Sequence, residues 1–203
     1  MPTGGIEGVE APCLSLPRAL ARLMGVSPTS SAFDDLLAAM GLAFLIPAVP
    51  DEPDVGRWPL YARDAFLAPA GALFGLTVRD IHPPQVARGL TREEAFRQHF
   101  DASYRPFLHE ALKHDQPVLA WQGWADEAAM LWGVVTETCD EGAGFGGWVD
   151  AGSSAEPRRY VLETPPAQLY VIEAMNPSDP EPETLIDTVS THMGLLCRDA
   201  IFD

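Results

Sequence analysis

The sequence predicts an α+β fold in which N-terminal helices pack on a mostly antiparallel sheet. Three observations predict it. Helical segments come first, apolar strand-like runs dominate from about residue 116 onwards, and a last helical segment closes the chain. Elements segregated in this way, without alternating βαβ units, argue against a parallel sheet. At 203 residues and 47% hydrophobic content the chain can bury a sizeable core, and no composition break marks a linker. Residues 1–12, with Gly4, Gly5, Gly8 and Pro12, read as a flexible tail, and residues 13–203 as one domain.

The first helix covers 14–24, with Leu16, Leu20 and Leu23 on one stripe and Gly25 as its C-terminal cap. Ser30 or Ser31 caps a second helix over 32–40, and Asp34 and Asp35 favour its first turn. Leu42–Ile46 fits a short buried strand ending at Pro47, and 47–60 reads as loop. Helical periodicity returns from Tyr61 to Phe74, interrupted by Pro69, and Leu76–Arg79 follows as a strand. Thr91 and Glu94 form a capping box before the longest helix, whose buried face runs through Phe96, Phe100, Tyr104, Phe107, Leu108 and Ala111, with a break at Pro106. Strands are expected at 116–121, 130–138 and 168–174, with an edge strand at 160–162. The glycines from Gly142 to Gly147 read as a flexible hairpin tip with Trp148 at one end of a short edge segment, and 180–196 reads as the final helix.

Charge excludes some functions. Twenty-nine acidic residues against thirteen basic ones give −16 at pH 7, with Lys113 as the one lysine. Such a surface repels phosphate backbones and anionic lipid, so neither nucleic acid nor membrane is an expected partner. No apolar run approaches the ~18 residues that cross a bilayer, and no basic-then-apolar N-terminal segment signals secretion. Cys13, Cys139 and Cys197 are an odd, scattered set without a Cys-x-x-Cys pair, which predicts free thiols and a cytoplasmic setting. Cys197, in Met193-Gly194-Leu195-Leu196-Cys197, reads as apolar filler.

Cys13 is the chemically suggestive thiol. It opens an apolar helix, where backbone N–H groups and the helix dipole favour thiolate over thiol. Cys13, Leu16, Leu20 and Gly25, followed by Leu36-Leu37, Gly41 and Phe44, resemble the start of the papain-like superfamily. The nearest likenesses are bacterial double-glycine peptidase-like domains and the N-terminal domain of the butirosin-biosynthesis acyltransferase. The phrase Ala111-Leu112-Lys113-His114-Asp115-Gln116-Pro117-Val118-Leu119-Ala120 is similar to their long helix leading into a central strand. The resemblance implies a papain-like fold with Cys13 as nucleophile, a histidine base at the head of the next strand, and an Asp or Asn orienter beyond it. Here that strand reads Met130-Leu131-Trp132-Gly133-Val134-Val135-Thr136, so Met130 or Trp132 stands where the base belongs. Asn176, before Pro177, and Asp150 both match the orienter.

A cysteine–histidine pair works because imidazole takes the thiol proton and later protonates the leaving group. Of the five histidines, His82 after a strand is the candidate displaced base; His99, His109 and His114 belong to the long helix and His192 to the last one. His192 reads as an exposed or capping imidazole. His109-Glu110 with His114 does not share one helical face cleanly, so no metal is expected, nor any cofactor. Trp121, Trp124, Met130 and Trp132 are candidates to line a groove holding a small molecule or peptide. The expected function is a non-catalytic papain-like binding domain. The alternative is a cysteine-dependent amidase, peptidase or acyltransferase using Cys13 with a displaced base.

Overall fold

The computed structural model describes residues 15–42, 64–81, 94–129, 131–150 and 157–202. Residues 1–12, Cys13, the strand expected beyond Leu42, His82, the Thr91 cap and Met130 lie outside the described residues. The rest is an α+β arrangement whose six strands form one antiparallel sheet.

The chain opens with α1 (Ser15–Met24) and α2 (Ser31–Ala39). Leu16, Ala19 and Leu20 form the buried stripe of α1. The helix ends in a Schellman closure: Gly25, at φ 72°, donates to the Arg22 carbonyl at 3.1 Å, and the Val26 N–H reaches the Ala21 carbonyl at 2.8 Å. Ser30 is the cap of α2, its hydroxyl accepting from the Phe33 N–H. Next come α3 (Asp64–Leu73) and β1 (Leu76–Asp80), and then one long rod made of α4 (Glu94–His99), a π-helical turn (Phe100–Tyr104) and α5 (Arg105–Lys113). Pro106 explains that turn. It has no N–H to give the preceding helix, and the Arg105 N–H bonds back five residues to the Phe100 carbonyl. The helix therefore widens where a break was expected.

The remaining elements are β2 (Val118–Trp121), β3 (Trp132–Cys139), β4 (Gly144–Val149), β5 (Arg158–Val161), β6 (Gln168–Met175) and α6 (Pro182–Phe202). The strand order is β1-β6-β2-β3-β4-β5, so the last strand inserts between the first two. Continuous apolar runs in β2 and β6 identify strands buried on both faces. Leu119, Trp132, Val134, Tyr170 and Ile172 pack on one face with α1, α2 and α3, and Leu185 of α6 packs against them. Val118, Ala120, Val135, Leu169 and Val171 pack on the other face with Phe100, Tyr104 and Leu108 of the long rod.

The glycine-rich stretch corrects the sequence reading. Gly144, Gly146 and Gly147 lie within β4, and the turn is made by Asp140–Gly142. A Cβ on Gly147 would stand 1.8 Å from the Val134 carbonyl oxygen, and one on Gly146 would stand 2.8 Å from Cys139 Sγ. Close strand approach at the β3 irregularity, not loop freedom, is what demands glycine there.

Candidate functional site

The face that carries α1 also carries Trp121 and Trp132, two of the residues singled out for a groove. Helix α1 lies on β3, and its first residue makes the contact specific. The Ser15 hydroxyl accepts the Trp132 backbone N–H at 3.1 Å, with both residues buried. The start of α1 is thereby fixed to the start of β3. Trp132 pairs with Trp121 across the β2–β3 ladder, and the two indoles stack with centroids 6.4 Å apart. Tyr170 adds a third ring 5.7 Å from Trp132. The Trp121 indole N–H has no hydrogen-bond partner among the described residues.

Asp150 completes this corner. Val134 pairs with Trp148, and Asp150 follows directly on the end of β4. Asp150 is only 2% exposed and accepts from Arg22 Nε at 3.1 Å, with Arg18 Nη1 at 3.6 Å. Two guanidiniums one helical turn apart thus reach from α1 to one desolvated carboxylate, which offsets its burial cost. Pairs of this separation are invisible to local pattern reading. The available signal was Arg18 and Arg22 on an otherwise apolar helix, together with an aspartate just after an apolar strand.

Two of the candidate residues lie away from this corner. Asn176 does not join this corner. It is exposed at the far end of β6, where its N–H bonds to the Gly75 carbonyl at 2.8 Å. Gln168 at the near end of β6 pairs with Trp121, and the 8 residues of β6 span about 26 Å at ~3.3 Å per residue. Strand register therefore sets Asn176 at the opposite end of the sheet from Trp121 and Trp132. Trp124 is likewise separated from the other two indoles. It packs with the core on the opposite face, donates from Nε1 to the Ala120 carbonyl at 3.2 Å, and occupies space that a side chain at Gly133 would fill. Of the four groove candidates, Trp121 and Trp132 stay together on this face, while Met130 lies outside the described residues.

The described histidines are engaged elsewhere. His99 makes an edge contact with Tyr104 at 5.4 Å, and His109 packs on Phe145 at 4.9 Å. His114 bonds Glu110 at 3.1 Å, where hydrogen bonds from Lys113 and then His114 hold the Glu110 carboxyl below its ordinary value. All three belong to the rod on the opposite face from α1. Of the two alternatives for His192, exposed or capping, burial removes the first, and the imidazole meets a carbonyl at the last residue of α2. It is 2% exposed, with Nδ1 against the Ala39 carbonyl at 2.5 Å. Burial, and after it the neighbouring carboxylates of Glu137 and Asp140, push the Cys139 thiol above its ordinary value, so it is held protonated. Among the described residues no group of three His, Cys, Asp or Glu side chains converges to hold a metal, and no helix is long and apolar enough to cross a membrane. Comparison with protein-family models, with curated proteins and with solved structures gives no match.

Proposed function

We propose that this chain is a papain-like domain that has lost thiol catalysis and binds a small molecule or peptide in the groove at the start of α1. The observation that carries the reading is the side chain at the head of β3. That position is joined to the start of α1, where a thiol enzyme of this kind would present imidazole; here it presents the Trp132 indole. An indole N–H donates but accepts no proton, so it cannot serve as the base. Asp150, the orienter in such an enzyme, is instead held by Arg18 and Arg22. Three of the four described histidines lie across the sheet, and His192 is committed to the end of α2. His82 remains the base that the catalytic alternative would require. Scattered free thiols suit a reducing, cytoplasmic setting.

Trp121 is the natural reporter of a ligand, being partly exposed beside Trp132 with its indole N–H unpartnered among the described residues. The test is ¹⁹F NMR of protein labelled with 5-fluorotryptophan, titrated with short peptides and apolar amines. The expected result is a saturable shift of one resonance, assigned to Trp121 by its loss in Trp121→Phe. Silence of that resonance together with Cys13-dependent ester cleavage would replace this reading with the enzymatic one.

A further inference from the structure

Across the sheet from Ser15, a cleft of about 160 Å³ opens between the long helical rod and the chain around β4 and the β5–β6 connection. That is about the volume that admits a benzene-sized ligand. Buried Phe100 and Phe145 give it apolar lining, and Arg97, Asp101, Arg105 and Glu163 give it charge. One wall is the π-helical turn, a costly distortion that recurs at functional sites.

The four charges are not equivalent. Arg105 is committed to the wall. Its Nε and Nη2 donate to Asp101 Oδ1 at 2.9 and 2.7 Å, Nη1 donates to the Ala143 carbonyl, and its guanidinium lies 5.5 Å from the centre of the Phe145 ring. Arg97 and Glu163 line the same cleft, yet neither side chain makes a hydrogen bond or ion pair among the described residues, and they do not pair with each other. In a chain with 29 acidic and 13 basic residues, a guanidinium without a carboxylate is unusual among the described residues. Arg22, Arg79, Arg159 and Lys113 have each found one. With Arg105 and Asp101 cancelling, the cleft presents one positive and one negative group held apart beside aromatic surface. A simple anion would meet Glu163 and a simple cation would meet Arg97. A zwitterion satisfies both.

We propose that this cleft binds a free α-amino acid with an apolar side chain. The carboxylate lies on Arg97, the ammonium on Glu163, and the side chain against Phe100 and Leu162. The site is separate from the groove beside Trp121 and does not depend on that reading. The test titrates the ¹⁵N-labelled full chain with L-alanine, L-leucine and L-phenylalanine, following the amides of Gly144 and Thr164. At least one amino acid should give saturable shifts there. The leucine analogues lacking one charge, 4-methylpentanoate and 3-methylbutylamine, should bind at least about tenfold more weakly than leucine, since each forfeits a charge-assisted hydrogen bond. Arg97→Gln and Glu163→Gln, both at exposed positions, should each weaken amino-acid binding by a similar factor. The proposal is overturned by the absence of saturable shifts with all three amino acids. It is equally overturned by 4-methylpentanoate binding as tightly as leucine, or by amino-acid binding indifferent to both substitutions.

Discussion

Replacing Ser15 with alanine tests the joint between α1 and β3. The hydroxyl accepts the Trp132 N–H at 3.1 Å inside the core, where no water replaces it. Ser15→Ala keeps the helix and even improves its propensity slightly, but leaves a buried backbone donor unpaired. An orphaned buried donor costs about 1–3 kcal/mol. For a domain of this size, a loss of about 2 kcal/mol lowers Tm by about 4–8 °C. Urea denaturation followed by tryptophan fluorescence reads the change, with an unaltered m-value showing that the native state keeps its compactness. Ser30→Ala is the internal standard. It removes the α2 cap, a half-buried interaction worth about 1 kcal/mol. The reasoning requires Ser15→Ala to be the more damaging of the two. A loss at Ser15 below about 0.5 kcal/mol, the size of an ordinary surface change, would refute the docking of α1 on the head of β3.

Other consequences are equally direct. Asp150→Ala leaves Arg18 and Arg22 facing a lost carboxylate; because they are 17% and 26% exposed and can turn to water, the cost should be about 2–3 kcal/mol, below the ~3–5 of a fully buried pair, as chemical denaturation would show. Gly147→Ala forces a methyl against the Val134 carbonyl and should cost more than about 3 kcal/mol, whereas Gly25→Ala meets no atom within 4 Å and should cost about 1 kcal/mol for its positive φ; similar costs at the two sites would contradict the strand placement of Gly147. Cys139 should alkylate slowly at pH 7.5, with a rate midpoint above the ordinary thiol value of 9.0, read by peptide mass spectrometry after iodoacetamide. The sign follows from linkage. The folded state disfavours the thiolate, so this group has no effect on stability below the ordinary value and destabilises the fold as pH rises through it.

Much of the scaffold was legible in local chemistry. The apolar runs of β2 and β6, the Gly25 closure of α1 and the Ser30 cap of α2 all follow from residue type and spacing. The antiparallel sheet followed from element order. What escaped depends on register or distant pairing. Glycines in β4 resemble a turn until the Val134 carbonyl is seen against Gly147. Trp121 and Trp124 look like neighbours on one groove, but they pack into the cores on opposite faces of the sheet. Asn176 and Asp150 match an orienter equally in sequence, and only strand direction shows that they lie at opposite ends of the sheet. Pro106 announced a disturbance without specifying a π turn, because a kink and a widened turn both accommodate its missing N–H. The Asp150–Arg22 contact spans 128 positions, beyond any local pattern.

The most direct test of the functional account is kinetic. Wild-type protein and Cys13→Ala are compared for cleavage of an activated thioester and of p-nitrophenyl acetate near neutral pH, under substrate excess. With an indole at the head of β3, the account predicts indistinguishable rates for the two proteins, both at the level of uncatalysed hydrolysis. Multiple-turnover cleavage that vanishes in Cys13→Ala would contradict it and would mean that an imidazole reaches the thiol.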